Sequence, residues 1–215
     1  MSLPILYSLR QCPYAMRARL GLLLAKQPVM LRDIVMTNIP KELFIASSKG
    51  EVPVLVLDDS LVIDESLEIM IWALKQSDPK NLLYSHQNGA FEKMQKIISR
   101  NDIEFVDALK KYKAASRYHD QEEQYYQQQC EPFLDYLESQ LNKHDFIFGE
   151  TASLVDYAIL PFIRQFSRVD RKWFQHSQYS KLRHLLEKHY QNPIFSKAMR
   201  KYPQWLESEE IIMGD

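Results

Sequence analysis

Glycine and cysteine are both scarce: five and two, respectively, in 215 residues. So few glycines leave little for phosphate-cradling chemistry, and neither a glycine-rich phosphate loop nor a G-x-S-x-G nucleophile elbow occurs. Charge of one sign is also lacking. The 27 Lys and Arg nearly cancel the 28 Asp and Glu, and neither sign gathers into a block, which argues against nucleic acid or an anionic membrane as a partner. The six histidines, His86, His119, His144, His176, His184 and His189, form no i, i+4 pair and adjoin no cysteine cluster, so no metal site is expected. No apolar run approaches a membrane span, and the opening "MSLPILYSLRQC" has neither a basic leader nor an apolar stretch of signal length; the expected compartment is the cytoplasm. Thiols stay reduced there, so Cys12 and Cys130 are read as two separate thiols.

What is present is enough apolar sequence, 46% of the chain, for a buried core. "PILYS" reads as a strand, Pro13 to Lys26 as a helix and "VMLRDIV" as a second strand. "IPKELFIAS" then gives a short helix, "VPVLVLDDSLVI" two strands joined by an Asp58-Asp59 turn, and "SLEIMIWALKQ" another helix. The order is βαβαββα over residues 1–78. The polar stretch "SDPKNLLYSHQNG" carries proline and glycine without a period, so 79–89 is read as a linker. Residues 90–215 read as all-helical: Phe91, Met94, Ile98, Phe105, Leu109 and Tyr112 keep helical spacing, as do Tyr126, Cys130, Phe133, Leu137 and Leu141. Ser153-x-x-Asp156 is a capping pattern for the run "TASLVDYAILPFIRQF".

Cys12 stands at an N-cap position, with Pro13 fitting the first helical turn. Free backbone N–H groups and the positive end of the helix dipole favour a thiolate there. Such settings lower a cysteine from a pKa of roughly 8.5 to between about 3.5 and 7.5. Arg10 and Arg17 either add positive potential or are solvated surface residues. The competing reading of Cys12 is a small buried residue that happens to precede a helix; Cys130, on an apolar stripe, is read that way. A dithiol redox site needs a second cysteine three residues on, and Ala15 stands there, so a mixed disulfide on Cys12 needs an external thiol to resolve it.

"CPYA" resembles the active-site start of cysteine-type cytosolic glutathione transferases, notably the omega class and the two-domain bacterial glutaredoxins. "KGEVPVLVLDD" resembles their cis-proline segment, "VIDES" their Glu/Asp-Ser step, and "FGETASLVDYAILP" their helix-six capping motif. The resemblance runs from about residue 4 to 206. It implies a thioredoxin-like α/β domain followed by an all-α helical bundle, with glutathione as co-substrate. By resemblance, Cys12 is the catalytic residue and Pro13, Tyr14, Lys49, Val52, Pro53, Glu65 and Ser66 hold glutathione. A cis Val52–Pro53 bond aims Val52's backbone at the cysteinyl group of glutathione. Ser66 caps the third helix and receives the γ-glutamyl carboxylate, while Glu65 accepts from the ammonium. Where the omega class carries a basic residue for the glycyl end, this chain has Ile39; Lys41 and Lys49 are candidate replacements.

In the helical domain, Asn101 and Asp102 interrupt the apolar stripe, which suits either a wet second-substrate cleft or a helix bend. Phe105 and Tyr112 are assigned to the same cleft, Lys113, Arg117 and Tyr118 to its mouth, and Trp173 and Phe174 to packing. The expected activity is glutathione-dependent thiol transfer or reductive deglutathionylation on a small-molecule disulfide or electrophile. Conjugation of glutathione to an electrophile, or a non-catalytic binding role, are the alternatives. The family also implies a homodimer.

Overall fold

The computed structural model describes residues 3–58, 61–207 and 211–214. The expected βαβαββα order is present as β1 (Ile5–Ser8), α1 (Pro13–Leu24), β2 (Val29–Asp33), α2 (Lys41–Ala46), β3 (Val54–Asp58), β4 (Leu61–Ile63) and α3 (Ser66–Gln76). The expected Asp58-Asp59 turn crosses residues 59–60, outside the described residues. β1 runs parallel to β2, from Ile5↔Met30 to Ser8↔Asp33, and antiparallel to β3, from Ile5↔Val56 to Tyr7↔Val54. Leu6, Tyr7 and Ser8 are all buried, so the central strand is covered on both faces.

Helix α1 is buried from Ala15 to Leu24 rather than along one stripe. Its small residues allow close packing against α3: a Cβ on Gly21 would lie 2.6 Å from the Met70 Cα, a separation that only glycine permits. Arg17, for which a solvated surface position was one reading, is enclosed with the rest of the helix, and so is Arg19.

The end of the chain departs from the sequence reading. Residues 191–215 group with 1–80 rather than with the helical unit 81–190. After α10 (Pro193–Ala198) and a short 3₁₀ turn at Trp205–Glu207, strand β5 (Ile211–Met213) pairs antiparallel with β2, from Val29↔Met213 to Leu31↔Ile211. The sheet order is β4-β3-β1-β2-β5. The physical reason is edge satisfaction: the outer edge of β2 presents unpaired backbone groups, and a short apolar strand supplies their partners. Three residues are too few to register as a periodic pattern.

The unit 81–190 is helical: α4 (Ala90–Arg100), a π-helical turn (Asn101–Phe105), α5 (Val106–Tyr118), α6 (Glu123–Leu141), α7 (Leu154–Phe166), α8 (Arg171–His176) and most of α9 (Ser180–Gln191). The α6 stripe buries Cys130, Phe133, Leu137 and Leu141 as its spacing predicts. Helix α7 opens on the expected Ser153–Asp156 box: the buried Asp156 carboxylate accepts from the Ser153 N–H at 2.8 Å and its hydroxyl at 2.7 Å, and from the Ile147 N–H at 2.9 Å. Burial pushes this carboxyl up from its ordinary range, and these bonds oppose the shift. Among the described residues no helix is long and apolar enough to cross a membrane.

Candidate active site

Strand register brings the site of the first unit together. Tyr7 pairs with Val54, so the residues just beyond them, Ser8 and Pro53, approach one another, and the turn after Ser8 carries Cys12 toward Val52. The Cys12 N–H closes that turn on the Leu9 carbonyl at 3.0 Å. Cys12 is the N-cap of α1 and Pro13 its first residue, both as the sequence predicts. The Val52–Pro53 bond is cis.

The thiol itself is arranged differently from the sequence reading. Cys12 makes no side-chain bond to the helix amides; its Sγ lies 3.8 Å from the Val52 carbonyl, to which the S–H donates. A thiolate cannot make that bond. Cys12 is half-buried, and Pro13 and Tyr14 are half-buried beside it on the first turn. Cys130 is fully buried and burial pushes its thiol up to about 12, the inert state its stripe position implies.

At the start of α3, Glu65 rather than Ser66 is the N-cap, and Ser66 is the first helical residue. The Ser66 hydroxyl accepts from Arg17 Nη1 at 3.4 Å. Arg17 is 1% exposed, so this cation is neither solvated nor at the surface but built into the junction of α1 and α3. The sequence signal for it was available in retrospect: Arg17 and Arg19 sit within a run that is otherwise apolar, and such arginines are buried only with partners.

Lys49 also lands elsewhere than expected. Proposed for the glycyl end of glutathione, it reaches Glu65 Oε1 at 2.6 Å and Asp64 Oδ1 at 3.1 Å, beside the acid assigned to the γ-glutamyl ammonium. The Ser47 hydroxyl donates to Asp64 at 2.7 Å and, with Lys49, holds that carboxyl below its ordinary range. Hydrogen bonds to Glu65 and Asp64 raise the Lys49 ammonium. The α2–β3 loop is thereby fastened to the β4–α3 step. Ile39 packs against the cluster of Tyr7, Ile34, Leu43 and Val54, joined by the Val52 side chain, so an apolar contact occupies the position of the absent basic residue.

The cleft residues assigned in the helical unit are corrected by burial. Phe105 and Tyr112 are core residues, with ring centroids 5.9 and 5.6 Å from Phe166. Burial pushes the Tyr112 phenol well up from its ordinary value. Asn101 is fully buried on the π-helical turn; its Nδ2 donates to Asp102 at 2.8 Å, and its Oδ1 has no hydrogen-bond partner among the described residues. A π turn inserts one residue and so breaks the stripe, but the enclosed Asn101 departs from the bend reading, in which it is solvated. Tyr118 is exposed, and Phe174 and Trp173 pack on Phe166, as expected. No group of three or more His, Cys, Asp or Glu that could hold a metal exists among the described residues.

A half-buried cysteine at a helix start, facing the residue before a cis-proline on a mixed sheet, defines a thioredoxin-like domain, here followed by an all-helical one. Known families agree: the N-terminal domain of glutathione S-transferases matches residues 6–81, and their C-terminal domain matches residues 101–201. The chain belongs to the glutathione S-transferase superfamily. Among solved structures, it is similar to a glutathione transferase of Pseudomonas putida with one glutathione disulfide bound per subunit, at 15% identity and a TM-score of 0.82 over 94% of this chain and 93% of that one. A Pseudomonas fluorescens family member with two glutathione bound is 17% identical, with a TM-score of 0.80 and 92% of each chain covered. Glutathione transferase Omega 1C of Trametes versicolor is 18% identical, with a TM-score of 0.76 over 93% of this chain and 92% of that one. At such identities the likeness shows the fold. No curated protein matches the chain.

Proposed function

We propose that this protein is a glutathione-dependent thiol transferase of the cysteine type, with Cys12 as nucleophile. The single observation that carries this reading is a half-buried Cys12 whose Sγ lies 3.8 Å from the Val52 carbonyl, beside a cis-proline. In the reaction, the Cys12 thiolate attacks the glutathionyl sulfur of a mixed disulfide, forming a Cys12–glutathione disulfide and releasing the other half as a thiolate that takes a proton from water. A second glutathione thiolate then attacks the glutathionyl sulfur of that enzyme disulfide. Oxidised glutathione leaves and the Cys12 thiolate is restored. Ala15 supports the need for this external thiol, since no second cysteine stands one helical turn on.

The same geometry couples binding to activation. The Val52 carbonyl is the group expected to accept the cysteinyl N–H of glutathione, and in this structure it accepts the thiol proton. A bound peptide displaces the S–H from its acceptor, which removes a bond that favours the neutral thiol. Glu65, Ser66 and Lys49 are the proposed holders of the γ-glutamyl end, with Arg17 supporting Ser66. Homologues crystallised with glutathione or its disulfide support glutathione as the co-substrate. A cytoplasmic homodimer is part of the same reading, and a monomer's mass in solution would remove the dimer.

Conjugation to an aryl halide is the second enzymatic reading. The two are separated by assaying thiol transfer and conjugation side by side with wild type and Cys12→Ala. Thiol transfer falls to background in Cys12→Ala; its survival would defeat the assignment.

A further inference from the structure

Next to the cysteine turn the first unit holds a cavity of about 500 Å³ that the chemistry above does not use. Three stretches line it: residues 9–11 after β1, residues 33–35 at the end of β2, and residues 201–204 of the returning chain. Gln11 is on its wall and is bonded to Cys12, whose Cα is therefore about 3.8 Å away.

The cavity is built by a buried cation. Arg19, whose side chain is wholly enclosed, donates to Ser8 Oγ at 2.7 Å, to the Ala198 carbonyl at 3.3 Å and to Asp33, and it lies 5.8 Å from the ring of Tyr202. These contacts fix the returning segment over the ends of β1 and β2. The Arg10 backbone N–H also donates to Asp33. Burial pushes the Asp33 carboxyl up and the Arg19 guanidinium down, and each partner's charge opposes the other's shift. The one carboxylate on the wall is thus already matched. Arg10, whose charge also acts on Asp33, and Lys201 stand on the same wall, and Arg200 stacks on Tyr202 at 5.5 Å. Leu9 and Val35 add apolar lining to the same cavity.

We propose that this cavity selects an anionic second substrate: the carboxylate-bearing half of a mixed disulfide, whose other half is glutathione. The inference rests on the thiol-transfer reading and names its substrate class. Arg10 and Lys201 receive the carboxylates and Tyr202 covers the carbon skeleton. The cavity's size falls within the roughly 300–1,000 Å³ of ordinary small-molecule sites. Electrostatic selection of this kind weakens with salt.

The test compares kcat/KM for the mixed disulfide of glutathione with mercaptosuccinate, a dicarboxylate, against that with mercaptoethanol, which is neutral. Wild type prefers the dicarboxylate by about tenfold at low salt, the size of one or two charge-assisted contacts, and Lys201→Gln and Arg10→Gln bring the ratio toward parity. A wild-type ratio near one, or a ratio untouched by both substitutions, overturns the proposal. Calorimetric titration of S-methyl-mercaptosuccinate into Cys12→Ala protein supplies a readout without turnover. Binding to Cys12→Ala that is lost in Cys12→Ala/Lys201→Gln/Arg10→Gln, when the wild type turns over neither disulfide, keeps the anion site and fails the thiol-transfer reading. Turnover of both disulfides at equal rates, with no such binding, fails the anion site alone.

Discussion

His189 on α9 gives the helical unit a calculable sensitivity to acid. The residue is 4% exposed, its Nε2 is buried with no hydrogen-bond partner among the described residues, and its ring meets Tyr157 edge-on at 5.0 Å. Burial, aided by the neighbouring Lys188, pushes its pKa down to about 4 from 6.5. Above pH 6.5 the ring is neutral in folded and unfolded chains alike, and the native state keeps its full stability. As pH falls toward 4 the unfolded chain takes up a proton that the folded one refuses, so stability is lost through that window. For those two pKa values, the loss between pH 8 and pH 4.5 is about 2–3 kcal/mol, a large share of the roughly 5–15 kcal/mol that holds a domain folded. Tyr157, which meets the ring, is raised by burial and stays neutral throughout; Asp156, elsewhere on α7 and also raised, acts with the opposite sign, since a raised carboxyl favours the native state at low pH. Comparing variants cancels both. Urea unfolding followed by far-UV circular dichroism at pH 8, 6 and 4.5 gives the slope; His189→Leu removes about 2–3 kcal/mol of the pH dependence whatever it does to stability at pH 8. An identical slope in both proteins, or an NMR titration of His189 near 6.5, refutes the reasoning.

Two further substitutions test the buried polar groups. Arg19→Met leaves Asp33 and Ser8 without their donor, and removing one member of a buried pair costs about 3–5 kcal/mol; denaturant midpoints read this, and a loss below about 1 kcal/mol would mean that the pair does not hold the returning segment. Asp156→Ala strands the Ile147 and Ser153 donors at about 1–3 kcal/mol each, so a loss of several kcal/mol and faster amide exchange at Ile147 are expected. Asp156→Asn keeps the shape and one acceptor, and recovers part of that loss.

Much of the first unit was legible because its signals are local. Proline after Cys12, β-branched runs broken by turns, and the "VIDES" step each act within a few residues, and the structure reproduces the element order they imply. The capping box at Ser153–Asp156 was legible for the same reason: both partners lie within one helical turn. Phe105 and Tyr112 were misassigned because helical spacing says which face of a helix is apolar but not what covers that face. The contacts of Lys49 were not legible, because a flexible lysine takes the nearest carboxylates, and Asp64 and Glu65 become its neighbours only when α3 packs in place.

By itself the amino-acid order determined where helices and strands begin, that Cys12 stands at a helix start, and that no second thiol follows one turn on, since propensity, capping and spacing act along the chain. Tertiary structure alone decided that the last residues rejoin the first sheet, that Arg17 and Arg19 lie inside it, and that the thiol meets a carbonyl rather than amides. Those outcomes depend on unpaired strand edges and buried charges finding partners up to 179 positions away, as Arg19 finds the Ala198 carbonyl. Such partners are selected by the cost of leaving a polar group unsatisfied in the interior, a cost that exists only once the chain has closed around it.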